Sequence, residues 1–149
     1  MHLARTRPAL ALLCGFVLAA AAVPLLVSRS GHASTLRNER VLRVTERDFH
    51  IAAPKGVAAG AVDLSVHNDG PDTHELIVVR ANGKALPLRR DGLTVDEAAL
   101  KSRTVATLEG SGAGGGRNEQ VHLPPGTYVL FCNMAGHYLG GMHTTLVVK

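Results

Sequence analysis

From residue 41 onward, apolar and polar positions alternate in short runs broken by turn residues. Val62, Leu64 and Val66 stand against Asp63, Ser65 and His67, the pattern of a strand with one face in a core. Val41 to Ile51 also predicts a strand, but with a change of parity. Leu42 and Val44 share one face, whereas Phe49 and Ile51 fall on the other, so a bulge is expected near Glu46. His74 to Val79 is apolar almost throughout after Glu75, as expected of a strand covered on both sides. Arg103 to Leu108, Val121 to Leu123, Thr127 to Cys132 and Thr144 to Val148 complete the strand signals.

The punctuation between these runs is equally informative. Asn68-Asp69-Gly70-Pro71, Asn82-Gly83, Asp91-Gly92 and Pro124-Pro125-Gly126 predict turns. Thr94-Val95-Asp96-Glu97 has the form of a capping box before Ala98, Ala99 and Leu100, which predicts one short helix. Gly110 to Gly116 is expected to be a flexible loop. Its G-x-G-x-x-G spacing does not support a dinucleotide site, because strand signals follow it where a helix is required. Many short strands with one helix define an all-β sandwich or barrel. About 115 residues are enough for one such core.

The first 33 residues follow a different pattern. Arg5 and Arg7 precede an apolar run from about Ala9 to Val27, and Arg29 closes it. This order predicts a signal peptide, with Gly31-His32-Ala33 as a cleavage zone, or an uncleaved membrane anchor. In either case residues 34–149 form the domain, placed in the periplasm or anchored on the outer side of the cytoplasmic membrane. The chain carries a net charge of +4, but three of its 16 basic residues and none of its 12 acidic ones lie in this leader. The domain is therefore nearly neutral and has no basic cluster with interleaved aromatics, so nucleic acid is not an expected partner. The membrane is expected to be met only through the leader.

Cysteine usage changes the picture further. Cys14 lies in the apolar run without the small preceding residue of a lipoprotein site, and Cys132 is the one cysteine of the domain. A single cysteine in an exported domain pairs between chains, stays reactive or binds something. The segment Cys132 to Met142 reads C-x4-H-x4-M. A thiolate, an imidazole and a thioether within eleven residues, joined by a second imidazole, suit copper. Two His and one Cys with a weak axial Met form an electron-transfer copper set. His74, at the start of a strand after a turn, is the candidate for the second imidazole, with His67 as the alternative. His50, His122 and His143 are expected at the surface. Met142 is the candidate thioether. Met134 is nearer to Cys132 and is expected to line the pocket.

Together, Asn68-Asp69-Gly70, His74-Glu75, Pro125-Gly126-Thr127-Tyr128, Cys132, Gly136-His137 and Gly141-Met142-His143 resemble the cupredoxins. The loop spacing is similar to that of auracyanin, rusticyanin and sulfocyanin. The resemblance spans roughly residues 49–149. It implies a Greek-key β-sandwich with one copper ion at one end, held by His74, Cys132, His137 and Met142, and one-electron transfer. It also implies that the backbone N–H groups of Glu75 and Met134 face the Cys132 sulfur. Redox protein partners are expected to dock at the His137 edge, on a patch that includes Ala135, Gly136, Leu139 and Gly140. The excursion from Ala81 to Lys101 departs from the smallest members of that family.

Other functions have weaker support in the residues. A copper enzyme needs further copper sites, often with H-x-H pairs, and the chain has none. A copper storage or delivery protein is the alternative, although such carriers favour exchangeable Met and His donors over a strand-end cysteine.

Overall fold

A computed structural model describes residues 40–149. The expected export or anchor segment, and Cys14 with it, lie outside the described residues. No described helix is long and apolar enough to cross a membrane.

The strands are β1 (Val41–Arg47), β2 (His50–Ala52), β3 (Gly56–Val57), β4 (Gly60–Asn68), β5 (His74–Arg80), β6 (Thr104–Ser111), β7 (Gly116–Leu123), β8 (Gly126–Phe131) and β9 (His143–Val148). One helix, α1 (Glu97–Leu100), lies between β5 and β6. One sheet has the order β2-β1-β4-β7 and the other β3-β9-β8-β5-β6. The chain passes between the sheets five times, from β2 to β3, β3 to β4, β4 to β5, β6 to β7 and β7 to β8. This all-β sandwich with a single short helix among the described residues is the architecture the alternating pattern requires.

The core forms where the inward faces meet. Leu42, Val44, Val62, Leu64, Val66, Val121 and Leu123 come from the first sheet. Leu76, Val78, Ala106, Leu108, Tyr128, Leu130 and Leu146 oppose them from the second. Each fully buried side chain of this kind contributes about 1.5–3 kcal/mol through removal from water. The Tyr128 hydroxyl would be costly in such a core unpaired, and it donates to the Pro124 carbonyl at 2.7 Å.

A second apolar cluster covers the outer face of the second sheet. Ile77, Val79 and Phe131 pack there against Leu86, Val95 and Leu100. The segment 81–101 supplies the cover, and this is why β5 is apolar on both faces.

Three local expectations are corrected. The parity change near Glu46 is not a bulge. Arg47 pairs with His50, so β1 and β2 form a hairpin whose two-residue turn is Asp48-Phe49. Phe49 has φ +59°, the one positive φ of a non-glycine residue among those described. That conformation costs an L-residue about 1–2 kcal/mol. The helix is capped by Asp96, whose carboxylate accepts from Ala99 N–H, whereas Thr94 bonds to Asp91. The glycine-rich stretch is an ordered β6–β7 turn. Gly114 N–H donates to the Asn68 carbonyl, and Asn68 N–H donates to that of Gly115.

Buried Asn68 also fixes the approach to His74. Its amide donates to the carbonyls of Asp72 and Ser111 at 2.7 and 2.8 Å, and its Oδ1 accepts from Gly70 N–H at 2.8 Å. Nearby, Glu46 continues the inward row of Leu42 and Val44 and is fully buried. Burial pushes its carboxyl above the usual carboxylate range, and its ion pair with Arg117 opposes that shift. Arg117 also donates to the His74 carbonyl at 2.8 Å and the Glu109 carbonyl at 2.6 Å. The pair therefore joins both sheets beside His74.

Candidate metal centre

Cys132 follows directly on β8. Its N–H donates to the Met142 carbonyl at 3.1 Å, so the pairing of β8 with β9 extends to the cysteine. The intervening loop folds back on itself. His137 N–H donates to the Met134 carbonyl at 2.9 Å, and Met142 N–H donates to the His137 carbonyl at 3.0 Å. Gly136 and Gly141 have φ of +84° and +102°, which other residues reach only with strain. Tyr138 points away from the donors and stacks edge-on against Phe131 at 5.7 Å. The loop is thus anchored to the outer face of the sheet while His137 turns inward.

Three of the four predicted donors come together. His74 Nδ1 lies 3.3 Å from His137 Nδ1, and Cys132 Sγ lies 3.5 Å from His137 Nδ1. One donor atom from each of these three residues lies within 4.8 Å of the others. Atoms bound about 2.0–2.3 Å from one ion in a trigonal plane stand about 3.5–3.7 Å apart. The three donors therefore fit a single metal ion of this size with little movement. Met142 is fully buried in the same cluster as Cys132. Its backbone is tied to both Cys132 and His137, whereas Met134 is only partly buried at the margin of that cluster. His74 and Cys132 are fully buried. His67 is exposed and faces Asp69 instead, and His50, His122 and His143 are exposed as expected.

The electrostatics follow from burial. Desolvation pushes the Cys132 thiol above its ordinary range, while N–H donation from Met134 and Glu75 to the sulfur opposes that shift. These are the two donors that the resemblance implied. They stabilise sulfur-centred negative charge. Burial, and then the neighbouring His74, hold His137 below the usual imidazole range, which favours its neutral, ligating form. Burial raises Glu75, and its carboxylate accepts from Asn133 N–H.

The sequence reading missed several residues of this site. Asp48 Oδ1 lies 3.0 Å from His74 Nε2. The Phe49 ring meets His137 edge-on, with centroids 5.5 Å apart. Asn133 Oδ1 accepts from Val95 N–H at 2.6 Å, and its Nδ2 donates to the Val95 carbonyl and to Glu97 Oε1. Gly136 N–H donates to the Leu93 carbonyl. The excursion over residues 81–101 therefore braces the donor loop as well as covering the sheet. The parity change at Asp48-Phe49 was the one available signal for the first pair.

No family profile matches the sequence, and neither does any curated protein. Solved structures do match. Auracyanin B is 24% identical, with a TM-score of 0.56 over 74% of this chain and 88% of its own. Auracyanin A, a "blue" copper protein from Chloroflexus aurantiacus, is 19% identical, with a TM-score of 0.54 over 73% of this chain and 98% of its own. Rusticyanin from Thiobacillus ferrooxidans is 18% identical, with a TM-score of 0.54 over 74% and 78%. The chain has the cupredoxin fold. Its clustered His74, Cys132 and His137, with Met142 buried in the same core as Cys132, are the donor types of a type 1 copper centre.

Proposed function

We propose that this protein binds one type 1 copper ion through His74, Cys132, His137 and Met142 and carries single electrons between redox partners outside the cytoplasm. The observation that carries the reading is the convergence of two imidazole nitrogens and one thiol sulfur. When bound, the copper supplies reversible one-electron chemistry.

The chain's own residues do the rest. The extended β8–β9 pairing and the bonds within the 132–142 loop hold the donors before any metal arrives, which limits rearrangement between oxidation states. The N–H groups of Glu75 and Met134 stabilise a thiolate at Cys132. The buried surroundings of Cys132 and Met142 exclude water.

His137 is the donor nearest the surface and is partly exposed. Phe49, Leu93 and Leu139 are each about half exposed, and they lie on or against its loop. This apolar rim suits weak, transient docking of a redox protein beside His137. The location outside the cytoplasm rests on the apolar leader sequence and on the lone domain cysteine.

Copper delivery is the competing reading. Voltammetry of the copper-loaded protein, followed by chelator challenge, separates the two. A reversible one-electron wave with slow copper loss is expected. Rapid loss to the chelator without a reversible wave would favour delivery.

A further inference from the structure

The two-residue turn between β1 and β2 places one side chain on each imidazole of the centre. Asp48 Oδ1 lies 3.0 Å from Nε2 of fully buried His74. Phe49, in its left-handed conformation, packs against His137. Glycines make room for both. A Cβ on Gly70 would stand 2.7 Å from Asp48 Oδ1 and 3.0 Å from His74 Nε2. A Cβ on Gly140 would stand 2.2 Å from the Phe49 ring. A backbone conformation that costs energy, and two glycines that admit its neighbours, mark the turn as part of the site.

A carboxylate oxygen only accepts hydrogen bonds, so the His74 nitrogen facing it carries the proton. In neutral His74 that leaves the Nδ1 lone pair facing His137 and Cys132. We infer that Asp48 is a positioning residue of the metal centre, fixing the ligating tautomer of His74 and biasing the centre toward its oxidised form. This rests on the copper reading above. The bias arises because a carboxylate bonded to the far nitrogen makes the imidazole a stronger donor and places negative charge near the metal. The more highly charged cupric ion gains more from both. One unit charge over about 6 Å, even with water-like screening, shifts such an equilibrium about threefold.

Two variants separate the effects. Asp48→Asn keeps a carbonyl acceptor and removes the charge. Asp48→Ala removes both. Asp48 lies in a surface turn with its side chain 30% exposed, so neither change opens the core. Imidazole 15N shifts of the metal-free protein report the His74 tautomer. A single Nε2–H tautomer is expected in the wild type and in Asp48→Asn, and a mixture in Asp48→Ala. After copper loading, Asp48→Asn is expected to lower the oxidised-to-reduced ratio at fixed solution potential about threefold. That is a rise of ~28 mV at about 59 mV per tenfold. An unchanged tautomer in Asp48→Ala, or an unchanged potential in Asp48→Asn, overturns the inference. Failure of the wild type to take copper would reject the proposed function, and the metal-free tautomer readout would still decide the positioning role.

Discussion

His74 and His137 bring their Nδ1 atoms to 3.3 Å from each other, although 63 residues separate them in the chain. Two parts of the fold create this contact. The Asn68-centred turn delivers His74 at the start of β5, and the hydrogen-bonded 132–142 loop turns His137 back toward it. Because each partner is held by its own bonds, the site's geometry is sensitive to residues that touch no donor atom.

Asn133 is the first such residue. Its side chain makes three hydrogen bonds to Val95 and Glu97, which clamp the 81–101 segment to the donor loop. Asn133→Ala leaves the Val95 N–H and carbonyl without these partners, and is expected to destabilise the domain by about 1–3 kcal/mol. It should also accelerate copper loss. Denaturant unfolding and chelator kinetics check the two effects, and wild-type values in both would remove the clamp from the account.

Gly140 and Phe49 form a testable pair. Any Cβ at Gly140 collides with the Phe49 ring, so Gly140→Ala should displace that ring and expose His137. Phe49→Ala removes the obstacle and relieves the positive φ only in part, since alanine is also strained there. The double variant is therefore expected to be more stable than the sum of the single changes implies, with a coupling of about 0.5–3 kcal/mol. Strict additivity in a thermal-unfolding cycle would show that the two positions do not meet.

The Cys132 thiol makes the stability of the metal-free domain depend on pH. Burial raises its folded pKa above the ordinary value of 9.0. A raised pKa means that the folded state holds its proton more tightly than the unfolded chain does. The resulting stabilisation is complete below the unfolded pKa and is lost as pH rises through the folded one. Metal-free wild type is thus expected to lose stability above about pH 9, by at most about 1.4 kcal/mol per pH unit from this group. Metal-free Cys132→Ala should lack that component. Parallel unfolding curves for the two proteins from pH 8 to 11 would contradict the assignment.

Leu139 tests the surface. It is 52% exposed and two residues from His137, so Leu139→Glu is expected to leave the copper spectrum and stability essentially unchanged. Electron exchange with a native redox partner should slow severalfold or more, because charge is placed in an apolar contact. Stopped-flow kinetics provide the check. Unchanged rates would move the docking surface elsewhere.

How much of this was legible in the sequence depended on whether the signal was local. The strands of the core were readable because inward residues recur every second position, as in Val62, Leu64 and Val66. The continuous apolar character of β5 signalled a second covering layer, and Leu86, Val95 and Leu100 supply it. Cys132, His137 and Met142 were readable from spacing, since one loop carries all three. His74 could be chosen over His67 by its position after the turn, and the structure brings it alone of the two to the cluster. By contrast, Asp48, Phe49 and Asn133 act through contacts 26, 88 and 38 residues away in the chain, where no periodicity points. The parity change at Glu46 was visible, but a bulge and a hairpin turn produce the same alternation. Only strand pairing distinguishes them. Likewise, the glycines near 110–116 suggested mobility, whereas their bonds to Asn68 arise from a neighbouring loop.

The most direct test of the account is the visible absorption spectrum of the purified, copper-loaded and oxidised protein beside its Cys132→Ala variant. The account predicts an intense thiolate-to-copper band in the wild type, bleached reversibly by a reductant and absent from the variant. A correctly folded, copper-loaded and oxidised wild type without that band would contradict the type 1 assignment.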